Sequence, residues 1–151
     1  MKIIIKNLQK KIPINPKRIK AAVLKALSSP RTSLKYNKTI KEGRGEITFC
    51  FVNDKKIKSL NREFLHKNYS TDVLSFDFST QGKEIFADVV ISTDTAVRNA
   101  AIYKTSSLYE VYLYVVHGTL HLLGYDDKTK EQRKIMDQKA KEILKYVITK
   151  D

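Results

Sequence analysis

A chain of 151 residues, 42% of them hydrophobic, is long enough for one domain with its own core. Its one cysteine cannot form an intrachain disulfide, and no apolar run approaches the length of a signal peptide or a transmembrane helix. Lys and Arg number 29 against 16 Asp and Glu, and the formal net charge of +13 attracts polyanions, above all nucleic acid. We therefore expect a cytoplasmic, RNA-contacting protein of one domain over residues 1–151, although a lysine-rich solvated surface is the plainer alternative.

The N-terminal third predicts a strand, a helix and a polar loop. Residues 2–6 have the apolar character of a short strand. Asn15 and Pro16 predict a helix start, because Asn is a good N-cap and Pro is favoured at the first helical position, and the apolar spacing continues to about Leu27. Residues 28–45 are polar and basic, and they form either an arm that contacts RNA or a plain loop.

The rest of the chain predicts more strands and helices. Strands are predicted over residues 46–52, 73–78 and 86–92, with a turn at Gly82 and Lys83. Residues 87–91 are apolar enough for a central strand. Asp54, Asp94 and either Ser106 or Ser107 are predicted as the N-caps of three helices, and Thr129 is predicted to open the last helix. The sequence therefore predicts an α+β fold, a single layer of about four strands covered by helices.

The apolar helix that ends near Gly124 carries two of the three histidines. His117 and His121 are four residues apart, so their imidazoles project from one face of the helix, as two ligands of one metal ion do. Gly124 can end the helix and turn the chain back, so that Asp127, or less favourably Asp126, reaches the same ion. Two histidines and a carboxylate leave a position for water, which is the pattern of a catalytic zinc site. The plainer alternative is two satisfied histidines on an apolar helix.

The same spacing mimics one arm of the zincin metallopeptidases, H-E-x-x-H-x-x-G-x-x-H. Gly118 stands where those enzymes have the glutamate that acts as general base, and Asp127 stands where they have the last histidine. Because glycine cannot take a proton, a zinc metallopeptidase is the weakest of the functional alternatives.

Residues 117–126 resemble the H-G-x-L-H-L-x-G-Y-D-H signature of the YbeY family of bacterial endoribonucleases. Leu60 and Asn61 with residues 71–76, and residues 87–92, are similar to two further blocks of that family, so the resemblance runs from about residue 46 to residue 136. It implies one bound zinc ion, with His117 and His121 as catalytic residues. It also implies cleavage of single-stranded RNA, a role in 16S rRNA 3′-end maturation and ribosome quality control, and association with ribosomal particles.

Two positions depart from the family pattern. Asp127 stands where the family has a third histidine, and since carboxylate oxygen also binds zinc, we expect a working site with a changed affinity or metal preference. Leu65 stands where the family usually has an arginine, which could grip a phosphate through two hydrogen bonds. His66 or Lys67 could supply the missing cation, or both could be plain loop residues.

These observations predict a metal-dependent endoribonuclease whose basic residues in the N-terminal half hold the RNA. The alternative is an rRNA-binding assembly factor with a structural metal, which the leucine at position 65 favours. The general acid, the nucleophile and the oligomeric state stay open.

Overall fold

Four strands form one mixed sheet in the computed structural model, which describes residues 1–28, 42–79 and 84–149. They are β1 (Lys2–Asn7), β2 (Glu46–Val52), β3 (Val73–Asp77) and β4 (Phe86–Ser92). Their spatial order is β1-β2-β4-β3, with β1, β2 and β4 parallel and β3 antiparallel to β4. The strand with the continuous apolar run, β4, therefore lies inside the sheet, as its sequence predicts.

Five helices accompany the sheet within the described ranges. They are α1 (Pro16–Leu27), α2 (Asp54–Leu65), α3 (Thr93–Tyr103), α4 (Ser107–Leu122) and α5 (Lys130–Thr149). The α+β class and the layer of four strands are confirmed. None of these five helices combines the length and the apolar character that crossing a membrane requires.

Two predicted N-caps are wrong by one or two residues. Asn53, and not Asp54, caps α2, because its side chain accepts a hydrogen bond from the backbone N–H of Lys56. Ser92, and not Asp94, caps α3 in the same way. Both aspartates instead lie in the first turn of their helices, where a negative charge interacts favourably with the helix dipole.

The two faces of the sheet are covered unequally. Phe49, Phe51 and Val89 belong to the main core, on the face that α4 covers, and α1 and α5 pack against α4. On the other face Val52, Leu74 and Val90 form a smaller cluster with Ile57 of α2. Cys50 points to this second face, because successive side chains of a strand alternate, and it is half-buried rather than a core thiol as expected.

The predicted loop over residues 28–45 and the turn at Gly82 and Lys83 lie largely outside the described residues. Arg44, which the structure does describe, forms ion pairs with Glu42 and Glu84. This arginine therefore joins two segments that precede strands of the sheet.

Candidate active site

His117 and His121 lie on α4, the most deeply buried of the described helices. Its apolar side chains face the sheet on one side and α1, α3 and α5 on the others, as expected of a helix that is apolar nearly all round. Ser106 caps its first turn by accepting a hydrogen bond from the Tyr109 N–H at 3.0 Å. The position of α4 is thus set by packing against the sheet and three helices.

Gly118, between the two histidines, lies directly against the sheet. A Cβ atom at this position would be 2.6 Å from Val89 Cγ1 and 3.3 Å from Val73 Cγ2. The Ser75 hydroxyl of β3 donates a hydrogen bond to the Gly118 carbonyl at 3.3 Å. These contacts fix the distance between the sheet and the helix at the turn that presents His117.

The end of α4 follows the predicted glycine stop. Gly124 has a φ of 98°, which is in the left-handed region. Its N–H donates to the His121 carbonyl and the Tyr125 N–H donates to the Leu120 carbonyl, both at 3.0 Å. This pair of hydrogen bonds is the Schellman motif, and it turns the chain back towards the histidines.

The aspartate that this turn brings to the second histidine is Asp127. His121 Nε2 lies 3.5 Å from Asp127 Oδ2. Asp126 points elsewhere, because one of its carboxylate oxygens accepts a hydrogen bond from the Asp127 N–H and the other lies 3.9 Å from Lys128 Nζ. Arg133 of α5 donates to the Asp127 carbonyl at 3.2 Å and so ties this loop to the last helix. Of the two aspartates, Asp127 is therefore the one with a carboxylate directed at a histidine.

His117 is the more buried histidine and has a different carboxylate neighbour. Its Nε2 is buried and has no hydrogen-bond partner among the described residues, while Asp137 Oδ1 of α5 lies 3.6 Å away. Burial lowers the pKa of His117 below its ordinary value of 6.5, although Asp137, Asp72 and Asp127 each act in the opposite direction. The imidazole is therefore neutral at neutral pH, which is the form that binds metals.

The donor atoms can be compared with the requirements of a divalent metal. Two ligands at about 2.1 Å from a tetrahedral zinc ion lie roughly 3.4 Å apart. The separations of 3.5 Å for His121 and Asp127 and 3.6 Å for His117 and Asp137 are close to this value. In residues 1–28, 42–79 and 84–149, however, no three His, Cys, Asp or Glu side chains are grouped closely enough to hold an ion. These side chains are of types that bind divalent metals, and they approach one another as two pairs, His117 with Asp137 and His121 with Asp127. A complete ligand set requires the two pairs to come within bonding distance of one ion.

Sequence inspection missed Asp137. It lies beside Met136, which is 3% exposed and belongs to the core as expected of an apolar helix position. No short-range spacing links Asp137 to the H-x-x-x-H motif, and only the packing of α5 on α4 brings it to His117. The residues around Asp137 in the sequence therefore do not indicate that it lies near the histidines.

The residues after α2 form a helix end. Leu65, where the family usually has arginine, is 45% exposed. His66 follows with a left-handed φ of 57°, and the Lys67 N–H donates to the Asn61 carbonyl at 3.2 Å. The Asn61 side chain is 1% exposed and donates to the Tyr69 carbonyl at 2.9 Å, so the Asn of the Leu-Asn pair holds the following loop.

Asp88, an acid in one of the segments that resemble the family, does not belong to the histidine site. It lines a groove with Cys50 and Phe76 on the second face of the sheet, whereas α4 covers the opposite face. Its half-buried carboxylate contributes instead to a rise in the pKa of the Cys50 thiol, for which burial is the larger cause.

A small α+β fold whose central helix presents H-x-x-x-H, followed by a glycine stop and an aspartate, is typical of metal-dependent hydrolases. The sequence profile of the family described as endoribonuclease YbeY matches residues 4–147. This chain belongs to the endoribonuclease YbeY family, as the resemblance of its motifs implies.

Individual relatives agree with this assignment. Endoribonuclease YbeY of Elusimicrobium minutum is 41% identical over 105 residues, which cover 67% of this chain and 73% of that protein. The protein of the same name from Carboxydothermus hydrogenoformans is 38% identical over 142 residues, 93% of each chain. The solution structure of TM1509 from Thermotoga maritima is 24% identical, with a TM-score of 0.58, and the match covers 98% of this chain and 90% of that one. This last similarity shows that the fold is shared.

Proposed function

We propose that this protein is a metal-dependent endoribonuclease that cleaves single-stranded RNA, with 16S rRNA 3′ ends as its substrate and zinc as its metal. Membership of the family supports hydrolysis of RNA phosphodiester bonds and a role in rRNA processing. The observation that carries the metal site is the buried His117 Nε2, which has no hydrogen-bond partner among the described residues and lies one helical turn from His121. A buried polar atom without a partner is unfavourable unless a ligand satisfies it.

The proposed ligands are His117 and His121 from α4 and Asp127 from the following loop. Burial keeps His117 neutral, so that its Nε2 lone pair is available to a cation. The core and the contact of Gly118 with Val89 hold α4 in place, so the imidazoles need little reorganisation. When bound, zinc supplies a water of lowered pKa and charge stabilisation for a phosphoryl oxygen.

The wider assignment follows from the substrate. A net charge of +13 favours association with RNA and with ribosomal particles, which expose RNA. We place the protein in the cytoplasm for this reason. All described strands share one sheet and most buried residues share one core, which supports a single endoribonuclease domain over residues 1–151.

Cleavage of a labelled single-stranded RNA tests the proposal. The zinc-loaded protein is compared with the chelated protein, with His121→Ala, and with Glu142→Gln as a control, because Glu142 pairs with Lys139 on α5 away from the histidines. We expect cleavage only by the zinc-loaded wild type and by Glu142→Gln, with one zinc ion per chain in both. Equal cleavage by the chelated protein or by His121→Ala contradicts the metal-dependent mechanism.

An rRNA-binding assembly factor with a structural metal is the second candidate. The leucine at position 65 favours it, because no guanidinium stands there to hold a phosphate. Tight RNA binding without cleavage by the zinc-loaded wild type would support this function instead. Cleavage of casein would indicate a peptidase, against which the missing side chain at Gly118 argues.

A further inference from the structure

A basic surface groove runs along α5 beside the candidate active site. It has a volume of about 490 Å³ and is lined by Lys130, Arg133, Lys134, Asp137, Gln138 and Lys141. Residues 130, 134, 137 and 141 are spaced by four, three and four positions, so they form one stripe along the helix. With a rise of about 1.5 Å per residue the stripe is about 16 Å long.

The positive charge of this groove is not neutralised by neighbouring acids. The three lysines are exposed, and none of them forms an ion pair within the part of the chain that the structure describes. Arg133 donates to the carbonyls of Asp127 and Lys128, which holds its position without cancelling its charge. Four cations therefore face one carboxylate, that of Asp137.

The groove is continuous with the site. Asp137 is both a member of the stripe and the carboxylate 3.6 Å from His117 Nε2. Arg133 is tied to the backbone of Asp127, whose side chain faces His121. An extended polyanion lying in the groove would thus pass directly beside the histidines.

We propose that this groove on α5 binds the phosphate backbone of single-stranded RNA and leads the strand to the histidines. The inference rests on the proposed function for the identity of the polyanion. It places the RNA on the C-terminal helix, whereas the sequence alone placed it on the N-terminal half. Lys134 and Lys141 flank Asp137 and are the positions from which contacts to phosphates on either side of the site are expected.

The test compares two charge-matched double variants. One is Lys134→Gln with Lys141→Gln. The other is Lys55→Gln with Lys58→Gln, two exposed positions of α2 on the opposite face of the sheet and in the N-terminal half. Binding of a labelled oligouridylate is measured by fluorescence anisotropy over a series of salt concentrations, with EDTA present so that the strand stays intact.

We expect the α5 pair to weaken binding by roughly tenfold at low salt and to reduce the salt slope by about 1.4, since each phosphate contact to a single strand contributes about 0.7. The α2 pair should change the dissociation constant by less than about twofold, because these two lysines do not line the groove and make no contact with a strand bound there. Lys134→Arg with Lys141→Arg keeps the charge and should bind as the wild type does. Equal loss in both pairs, or no loss in the α5 pair, overturns the proposal.

Cleavage by the same proteins separates this inference from the proposed function. If the wild type cuts RNA and the α5 pair binds and cuts as well as the wild type, the groove is excluded and the nuclease stands. If the wild type cuts nothing while the α5 pair alone loses binding, the groove stands and the nuclease assignment fails. If the nuclease function and the RNA-binding groove are both correct, the wild type cuts RNA and the α5 double variant has a KM raised by a larger factor than its kcat is lowered.

Discussion

The carboxylate of Asp137 lies 3.6 Å from the Nε2 of His117, although twenty positions separate the two residues along the chain. The contact joins α5 to α4 at the point where the more buried histidine has no hydrogen-bond partner among the described residues. It gives the chain a second acid beside the histidines, in addition to Asp127. We therefore expect Asp137 to take part in the proposed metal site together with Asp127.

Asp137→Asn should weaken zinc binding by about tenfold or more, because its carboxylate lies on the Nε2 side of His117, where the proposed ion binds, and its negative charge attracts a cation there. Isothermal titration with Zn²⁺ measures the affinity. Glu142→Gln is the control, because Glu142 pairs with Lys139 on the same helix, away from the histidines. Equal affinity of the Asn variant and the wild type would show that Asp137 takes no part in holding the metal.

Gly118→Ala should destabilise the fold. Alanine favours a helix over glycine by about 1 kcal/mol, but a Cβ here would lie 2.6 Å from Val89 Cγ1, and overpacking of a core costs about 1–3 kcal/mol. We expect the clash to outweigh the propensity, with a lower free energy of unfolding in urea. Adding Val89→Ala should recover part of the loss. A stabilised Gly118→Ala variant would contradict the tight contact.

Asn61→Ala should lower the free energy of unfolding by about 1–3 kcal/mol. The substitution removes the hydrogen bond that the buried Asn61 side chain donates to the Tyr69 carbonyl, and the alanine has no donor to replace it. Urea denaturation measures the change, and hydrogen exchange should rise in residues 67–71. The exposed Asn68→Ala is the matched control and should change stability by less than about 0.5 kcal/mol.

Asp94→Asn should reduce the loss of stability in acid. Hydrogen bonds from Lys11 at 2.7 Å and from the Asp54 N–H at 2.8 Å lower the pKa of Asp94 below its ordinary value of 3.8. The unfolded chain therefore takes up this proton at a higher pH than the folded chain does.

The contribution of Asp94 is complete above pH 3.8 and disappears as the pH falls through the lower folded pKa. We expect a contribution of about 0.5–1 kcal/mol, since Lys11 is mostly exposed. Denaturation between about pH 6 and pH 2.5 measures it, and below the folded pKa the two proteins should converge. If the difference in the free energy of unfolding stayed constant across this pH range, the substitution would act through the shape of the side chain and not through its charge.

Features set by a few neighbouring residues could be predicted from the sequence. The start of α1 at Pro16 and the stop at Gly124 depend on local backbone preferences, and both are confirmed. Strands β2 and β4 have the predicted bounds, because their apolar runs are interrupted at both ends. The caps of α2 and α3 were misplaced since Asn53 and Asp54, or Ser92 and Asp94, offer competing side chains within two positions.

Features that depend on contacts between distant segments could not be predicted. The motif gave the two histidines and favoured Asp127 over Asp126, but the direction of each carboxylate depends on the turn after α4. The approach of Asp137 and the basic groove required the packing of α5 against α4. The metal ligands themselves stay a prediction.

The contact between Gly118 and Val89 also separates this protein from the peptidases whose spacing it shares. A single substitution of Gly118 by glutamate would complete the H-E-x-x-H pattern in the sequence. In this fold the first carbon of that side chain would already meet a stiff β-branched residue of the central strand at 2.6 Å. An evolutionary path from one chemistry to the other therefore has to widen the gap between helix and sheet before it can acquire the general base. The space for one additional methyl-sized group between the helix and the sheet therefore decides which of the two similar motifs this fold can carry.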